Sequence, residues 1–339
     1  MGPVNQSWRV AEPREPDGPG APSPGASSRP VADLTRQRLV RHGLAAAVAL
    51  ASRLGLPAGD HVVLSNRGNL LVHFATAGVV ARVATLTAWT RREPLRWLAR
   101  EVAVTRHVAA RGGPVVPPAR GTDPGPHWQD GFAISLSEFL AITSPAPVPA
   151  PADCGIARAD FHRAASDCPA DLGFLVAATD QVTDALAVIE RESLAGAPTI
   201  AALRAAHGRA LAGIARVCEG PAAAGLATVV LHGDAHAGNL LPTGPGRWVW
   251  ADLEETSRGP AAWDLATLTG GYDEDGTDAA LAAYAARSGI PVPATESLLP
   301  FRRARDIEAT MWLLCMARLY PERYAAIAGR RLEEVLSRR

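Results

Sequence analysis

The sequence contains no lysine: its 34 Lys-or-Arg cations are all arginine, and 34 Asp and Glu residues balance them to a formal net charge of zero. That balance leaves no global field to draw in nucleic acid or an anionic membrane surface, so neither partner is expected. No run of eighteen apolar residues occurs, and the stretch Leu44 to Ala51 is too short and alanine-rich to span a bilayer. The N-terminus lacks the basic-then-apolar order of a secretion signal. The 4 cysteines are scattered without a C-x-x-C pair, which argues against a zinc ribbon or a disulfide framework. They fit small buried apolar groups in a reducing compartment. A soluble, cytoplasmic protein is the expectation.

What is present is a chain of 339 residues with 47% apolar content, enough for two lobes, each with a core. Residues 1–30 are rich in Pro, Gly and Ser and read as a disordered tail. A helix is expected from about Asp33, as its cap, to Arg53, with Leu39, Leu44, Val48 and Leu54 on its packed side. Three Val- and Leu-rich runs follow, HVVLSN, LLVHFAT and GVVARVAT, separated by the turns 66–69 and 77–78. They read as antiparallel strands with tight connections. Pro94 to Ala110 reads as a helix with a stripe of Leu95, Leu98, Val102 and Val108, and Gly131 to Leu140 as a further β run. Residues 143–153 look like a connector, and 155–219 turn helical, with helices over 174–189 and 200–217. The chain from Asp278 onward reads as an α-helical end.

The densest chemistry lies in 229–265, VVLHGDAHAGNLLPTGPGRWVWADLEETSRGPAAWDL. An apolar run ends at Leu231, and His232, Asp234, His236 and Asn239 crowd behind it. Pro242, Gly244, Pro245 and Gly246 signal a turn, and a second β-prone run, Trp248 to Ala251, delivers Asp252. Two strands would bring Asp234, Asn239 and Asp252 to one edge of a hairpin. A carboxylate, an amide five residues on and a second carboxylate suit phosphoryl transfer, which needs positioning, a divalent metal and an acceptor for the hydroxyl proton. On that reading Asp234 is the base, and Asn239 and Asp252 are hard oxygen ligands for Mg2+.

The pattern H-x-D-x4-N followed by D resembles the catalytic loop and metal-binding Asp of the protein-kinase fold. The finer spelling, HGD-x4-N, D-x-E and GP-xx-W-D-L, is similar to the aminoglycoside phosphotransferase family, matched by His232, Gly233, Asp234, Asn239, Asp252, Glu254, Gly259, Pro260 and Asp264. The resemblance covers roughly residues 55–325. It implies an α/β (α+β) fold with two lobes: a small antiparallel β lobe with a preceding helix over 31–140, and a larger, mostly helical catalytic and substrate-binding lobe over 141–339. ATP and Mg2+ would bind between them, and a small-molecule hydroxyl would be the acceptor. The resemblance further places a phosphate-covering turn at Ser65, Asn66 and Gly68, and a phosphate-contacting cation at Arg82, where kinases usually have lysine. Glu101 would pair with that cation, and the backbone of Ser137, Glu138 and Phe139 would recognise adenine. Asp264 would buttress the catalytic loop, and His162 would be structural.

Other readings stand beside this one. Asp264 could simply cap the helix that follows, and Glu255 reads as a solvated residue. The acidic stretch Asp273, Glu274, Asp275 and Asp278 could hold a cationic acceptor or be surface; Asp306 and Glu308, on an arginine-rich helix, are equally open. The single glycine of the 65–69 turn and the Arg at 82 also allow a nucleotide-binding module without transfer activity. His232, Asp234 and His236 alternate as H-x-D-x-H, which on a strand could bind zinc as in a metal-dependent hydrolase; no histidine follows His236 to complete such a site.

Overall fold

A computed structural model describes residues 31–142, 146–219 and 226–338, with side chains described from Gln37 onward. The expected disordered tail and residues 143–145 of the expected connector lie outside the described residues. The N-terminal part begins with helix α1 (Val31–Arg53), which takes in Asp33 rather than starting after it as a cap. Strands β1 (His61–Ser65), β2 (Leu70–Phe74) and β3 (Val79–Val83) follow, then α2 (Leu86–Thr90), α3 (Pro94–Ala110), β4 (His127–Gln129) and β5 (Phe132–Glu138). The strands form one five-stranded antiparallel sheet in the order β1-β2-β3-β5-β4.

The period-2 alternation of a strand decides what each face of this sheet does. Leu70, Val72 and Phe74 of β2 point to one side and pack with Ala46, Ala47, Leu50 and Ala51 of α1. The register sets Leu71 opposite Arg82 and Arg82 opposite Ser135, so Arg82 belongs to the other face. Helix α3 starts at a proline, whose missing N–H costs nothing in a first turn. Leu98, Val102 and Val108 are buried as the stripe predicts, but Leu95, next to the helix start, is exposed.

The C-terminal part holds α4 (Pro151–Ala165), α5 (Asp180–Arg191), α6 (Ala197–Glu219), β6 (Thr228–Leu231), β7 (Leu240–Gly244), β8 (Arg247–Trp250), β9 (Ser257–Pro260), α7 (Ala262–Thr269), α8 (Glu274–Ser288), α9 (Thr295–Leu319) and α10 (Pro321–Ser337). Helix α4 begins at Pro151, inside the stretch expected to be a connector, because a proline opens a helix as readily as it ends one. Helix α5 begins at Asp180, not Phe174: Phe174 bridges to Arg258, and Leu175 has φ 47°, outside helical geometry. Packing among α5, α6, α7 and α9 buries Val182, Leu203, Leu265, Phe301 and Met311 in the main core. All 4 cysteines are free, and Cys154, Cys168 and Cys315 are buried. Among the described residues no helix is long and apolar enough to cross a membrane.

The expected hairpin resolves into two pairings. Strand β7 pairs with β8, through the turn read from Pro242 to Gly246. The run ending at Leu231 pairs instead with β9, which carries the Gly259-Pro260 dipeptide. A two-residue sequence signal for a loop end conceals this strand, because Pro260 lies at its last position, where a missing donor is tolerated.

Candidate active site

The catalytic-loop segment starts where β6 ends. His232 turns inward: it is fully buried, with Nε2 2.9 Å from the Ala251 carbonyl and Nδ1 accepting from the Asp234 N–H at 3.3 Å. Burial, then the nearby Arg158 guanidinium, pushes its imidazole down to about 3, so it is neutral near pH 7. Gly233 follows with φ 93°, and a Cβ there would lie 2.2 Å from the Glu255 carbonyl oxygen. Glycine alone fits both the backbone angle and the close approach. The chain then presents Asp234 to the cleft, and a short 3₁₀ turn, Ala237–Asn239, is capped by His236, whose ring nitrogen accepts from the Gly238 N–H.

His232 and His236 therefore do not share a strand face, because β6 ends before them and both are committed to backbone partners. Among the described residues no group of three or more His, Cys, Asp or Glu side chains could hold a metal ion. The H-x-D-x-H zinc reading is thus corrected by the local turn geometry.

Asn239 and Asp252 stand at the open end of the β7–β8 hairpin, where Leu240 faces Trp250 and the Ala251 N–H donates to the Asn239 carbonyl at 2.9 Å. The Asn239 amide N–H group donates to the Asp234 carbonyl at 2.9 Å and to its carboxylate at 3.3 Å, leaving its side-chain oxygen unused. Asp252 adopts φ 64°, a left-handed conformation that a short polar side chain tolerates best. Asp234, Asn239 and Asp252 are thus brought together as the sequence predicts. One amide oxygen and one carboxylate make a small hard-oxygen set. It fits magnesium, which keeps waters and substrate phosphates as its remaining ligands, better than it fits an all-protein cage.

Arg82 reaches this end from β3. Its NH1 lies 2.7 Å from Asp252 Oδ1 and 3.4 Å from Glu254 Oε2, and its Nε 3.7 Å from Glu101 Oε1. The expected Arg82–Glu101 pair is present, with Glu101 on α3. Burial, partly offset by Arg82, pushes the Glu101 carboxyl up to about 7. Asn69, just past the 65–68 turn, is buried; it donates to Glu254 at 3.0 Å and accepts from the Thr87 hydroxyl. In the turn itself, the Asn66 carbonyl accepts from the Tyr320 hydroxyl and the Gly68 carbonyl from the Leu86 N–H. Ser65 ends β1 at a register shift.

The adenine-recognition positions differ in detail from expectation. Ser137 is committed to β3, opposite Val80. The N–H groups of Glu138 and Phe139 already donate to Pro117 and Gly78, each at 2.9 Å. A base meeting the chain here would find carbonyls and the groups beyond Phe139, since sheet pairing and the return loop consume those two donors. Phe139 stacks on His73 with ring centroids 3.6 Å apart.

Several residues that sequence reasoning passed over surround the site. Arg305, on α9, contacts the Asp234 carboxylate and the Glu308 carboxylate, and lies 3.1 Å from Glu255. Burial would raise the Asp234 pKa, but Arg305 and then His236 hold the carboxyl well below its usual range. Glu255, expected to be solvated, is buried: Arg91 and Arg305 pair with it, and Gln181 donates to it at 2.9 Å. The same Gln181 amide donates to Glu308. Burial and mutual repulsion push Glu255 up, and burial pushes Glu308 up. The glutamate lies one position past the D-x-E spelling, in a tight turn that folds it inward, which no local pattern signals. A cue for Arg305 was the spacing Arg305-x-x-Glu308, one helical turn apart.

Behind the loop sits Asp264. It is fully buried in the first turn of α7 and caps nothing in its own helix. Its carboxylate accepts from the His232 N–H at 2.9 Å and the Gly233 N–H at 3.1 Å, and pairs with Arg158 at 3.1 Å and His162 at 3.0 Å. His162 also meets the Tyr284 hydroxyl at 2.9 Å, so its structural reading fits. Arg158 stacks over Trp250 at 3.8 Å from the ring centroid.

A family model described as a phosphotransferase enzyme family matches residues 64–301. Solved structures of similar fold include a choline/ethanolamine kinase family protein from Mesorhizobium loti, at 19% identity and TM-score 0.56, covering 89% of this chain and 95% of that one. The choline kinase LicA from Streptococcus pneumoniae is 15% identical with TM-score 0.56, covering 85% of this chain and 98% of that one. An aminoglycoside-3'-phosphotransferase of type VIII is 21% identical with TM-score 0.54, covering 79% of this chain and 99% of that one. No curated protein matches the sequence. At these identities the neighbours establish the protein-kinase-like fold.

Proposed function

The chain belongs to the phosphotransferase enzyme family, and we propose that it transfers the γ-phosphoryl group of ATP to a hydroxyl of a small molecule. The observation that carries this reading is the convergence of Asp234, Asn239 and Asp252 at one hairpin end, tied by the Asn239–Asp234 and Ala251–Asn239 hydrogen bonds. Similar folds bear titles with AMP-PNP and Ca2+ or with AMP, which supports nucleotide use in the same cleft.

In this reading Asp234 orients the acceptor hydroxyl and takes its proton as the oxygen attacks. Asn239 and Asp252 offer their oxygens to magnesium, which when bound neutralises charge on the transferring phosphates. Arg82, held by Glu101, exchanges part of its contact with Asp252 for phosphate oxygens; its planar fork suits that task in place of lysine. Backbone at the 65–68 turn covers the phosphates. Orientation and fixed charge, without a covalent enzyme intermediate, provide the rate.

The test is ATP consumption by the wild-type protein against neutral, cationic and anionic hydroxyl compounds, with and without magnesium. Consumption that needs both an acceptor and magnesium, and stops on chelation, is the expected result. Nucleotide binding without consumption across the whole panel would favour the binding module instead. Arg82→Met is expected to raise the KM for ATP about ten- to hundredfold, because it removes a charge-assisted contact of about 1.5–3 kcal/mol. An unchanged KM would take Arg82 out of the phosphate site.

A further inference from the structure

Resting on the phosphotransferase reading, the surroundings of Asp234 point to the charge of its acceptor. Each carboxylate near the base is already matched by an arginine of the protein itself. Asp252 has Arg82 at 2.7 Å, Glu254 has Arg91 at 2.9 Å, Glu255 has Arg91 and Arg305, and Asp234 and Glu308 share Arg305. An ammonium group entering here finds no unmatched acid among these five. To bind, it must displace a guanidinium from a buried pair, which exposes that pair's full desolvation cost.

The acidic stretch that might otherwise greet a polycation is engaged elsewhere. Asp273 caps α8 by accepting from the Gly276 N–H at 2.9 Å, and Glu274 and Asp275 fill the first turn of that helix, where its dipole favours negative charge.

The cations beside the base are, by contrast, not exhausted. Arg302 precedes Arg305 by one helical turn, so both belong to one side of α9. Arg302 uses NH2 to donate to the Thr269 hydroxyl at 2.9 Å, but its Nε is buried with no hydrogen-bond partner. A buried guanidinium N–H without an acceptor is costly and suits an incoming anion. We propose that the acceptor carries an anionic group, a carboxylate or a phosphate, received by the Arg302–Arg305 side of α9 while its hydroxyl faces Asp234, and that polycationic amino sugars are rejected.

The experiment measures kcat/KM in charge-matched sets, each with a neutral hydroxyl compound, its carboxylate, its phosphate monoester and its amino derivative, plus an aminoglycoside. At least one anionic member is expected to exceed its neutral parent by tenfold or more, and the amino member to fall below the parent. Comparing the carboxylate and phosphate arms identifies which anion is used. Arg302→Met should raise the KM of the anionic acceptor at least tenfold more than that of its parent, and Arg302→Lys should restore most of the preference. Better turnover of the amino derivative or the aminoglycoside would overturn the inference and leave the phosphotransferase standing. So would an Arg302→Met effect confined to the KM for ATP, which would assign the cation to the nucleotide. ATP binding with no turnover in any set would overturn both readings.

Discussion

Asp234→Asn is expected to lower kcat by about 10²–10⁴-fold, the usual contribution of a positioned proton acceptor, with a much smaller change in the KM for ATP. The amide keeps the size of the side chain but cannot take the hydroxyl proton, and it offers Arg305 a neutral oxygen where a carboxylate stood. The loop itself should persist, because the Asn239 amide also bonds the Asp234 backbone carbonyl and His232 and Gly233 remain tied to Asp264. Asp252→Ala should split differently: it removes a metal oxygen and a partner of Arg82, so the magnesium requirement and the KM for ATP rise together with the loss of kcat. Steady-state kinetics on both variants, with circular dichroism to confirm the fold, separates the two roles. Full turnover by Asp234→Asn would remove Asp234 as the base.

That pair of residues was legible because phosphoryl transfer fixes both residue type and spacing. Asp234, Asn239 and Asp252 sit on a turn and a hairpin, where a few consecutive residues determine the geometry. The β lobe was legible for a similar reason: short Val- and Leu-rich runs separated by tight turns leave few pairings, and β1 to β3 formed where expected. What escaped the sequence depends on contacts across long separations. Arg305 meets Asp234 71 residues away, and Gln181 meets Glu308 127 residues away. Glu255 looked solvated because its neighbours in sequence are polar; its burial comes from α5 and α9, which no local pattern brings together. Strand β9 was hidden by its own Gly-Pro, a signal that reads as loop until its partner β6 is known. Substrate preference falls in this long-range class as well, since it depends on which guanidinium groups α9 turns toward the loop.

Asp264→Ala is expected to destabilise the protein by about 3–5 kcal/mol, the range for breaking one partner out of a buried ion pair. The alanine removes the acceptor for two backbone N–H groups at His232 and Gly233 and leaves Arg158 and His162 without their carboxylate in a fully buried site. Arg158 already has two guanidinium nitrogens without partners, so the loss leaves it nearly uncompensated. The effect should carry a pH signature. Burial acts to raise the Asp264 pKa, but Arg158 and then His162 outweigh it and hold the carboxyl well below the usual range. A lowered folded pKa gives stability that is present above the unfolded value of about 3.9 and is lost as pH falls through the folded one. His232, pushed down to about 3, acts in the same direction over a higher window: its contribution is full above about 6.5 and declines as pH falls toward 3. Wild-type stability, followed by urea unfolding, should therefore begin to fall below pH 6.5 and fall more steeply below pH 4. Asp264→Ala should start several kcal/mol lower and lose the steeper segment, while the decline set by His232 remains. A variant as stable as wild type near pH 7 would show that the Asp264 cluster does not hold the catalytic loop. A variant that keeps the steep segment below pH 4 would assign that segment to other carboxylates.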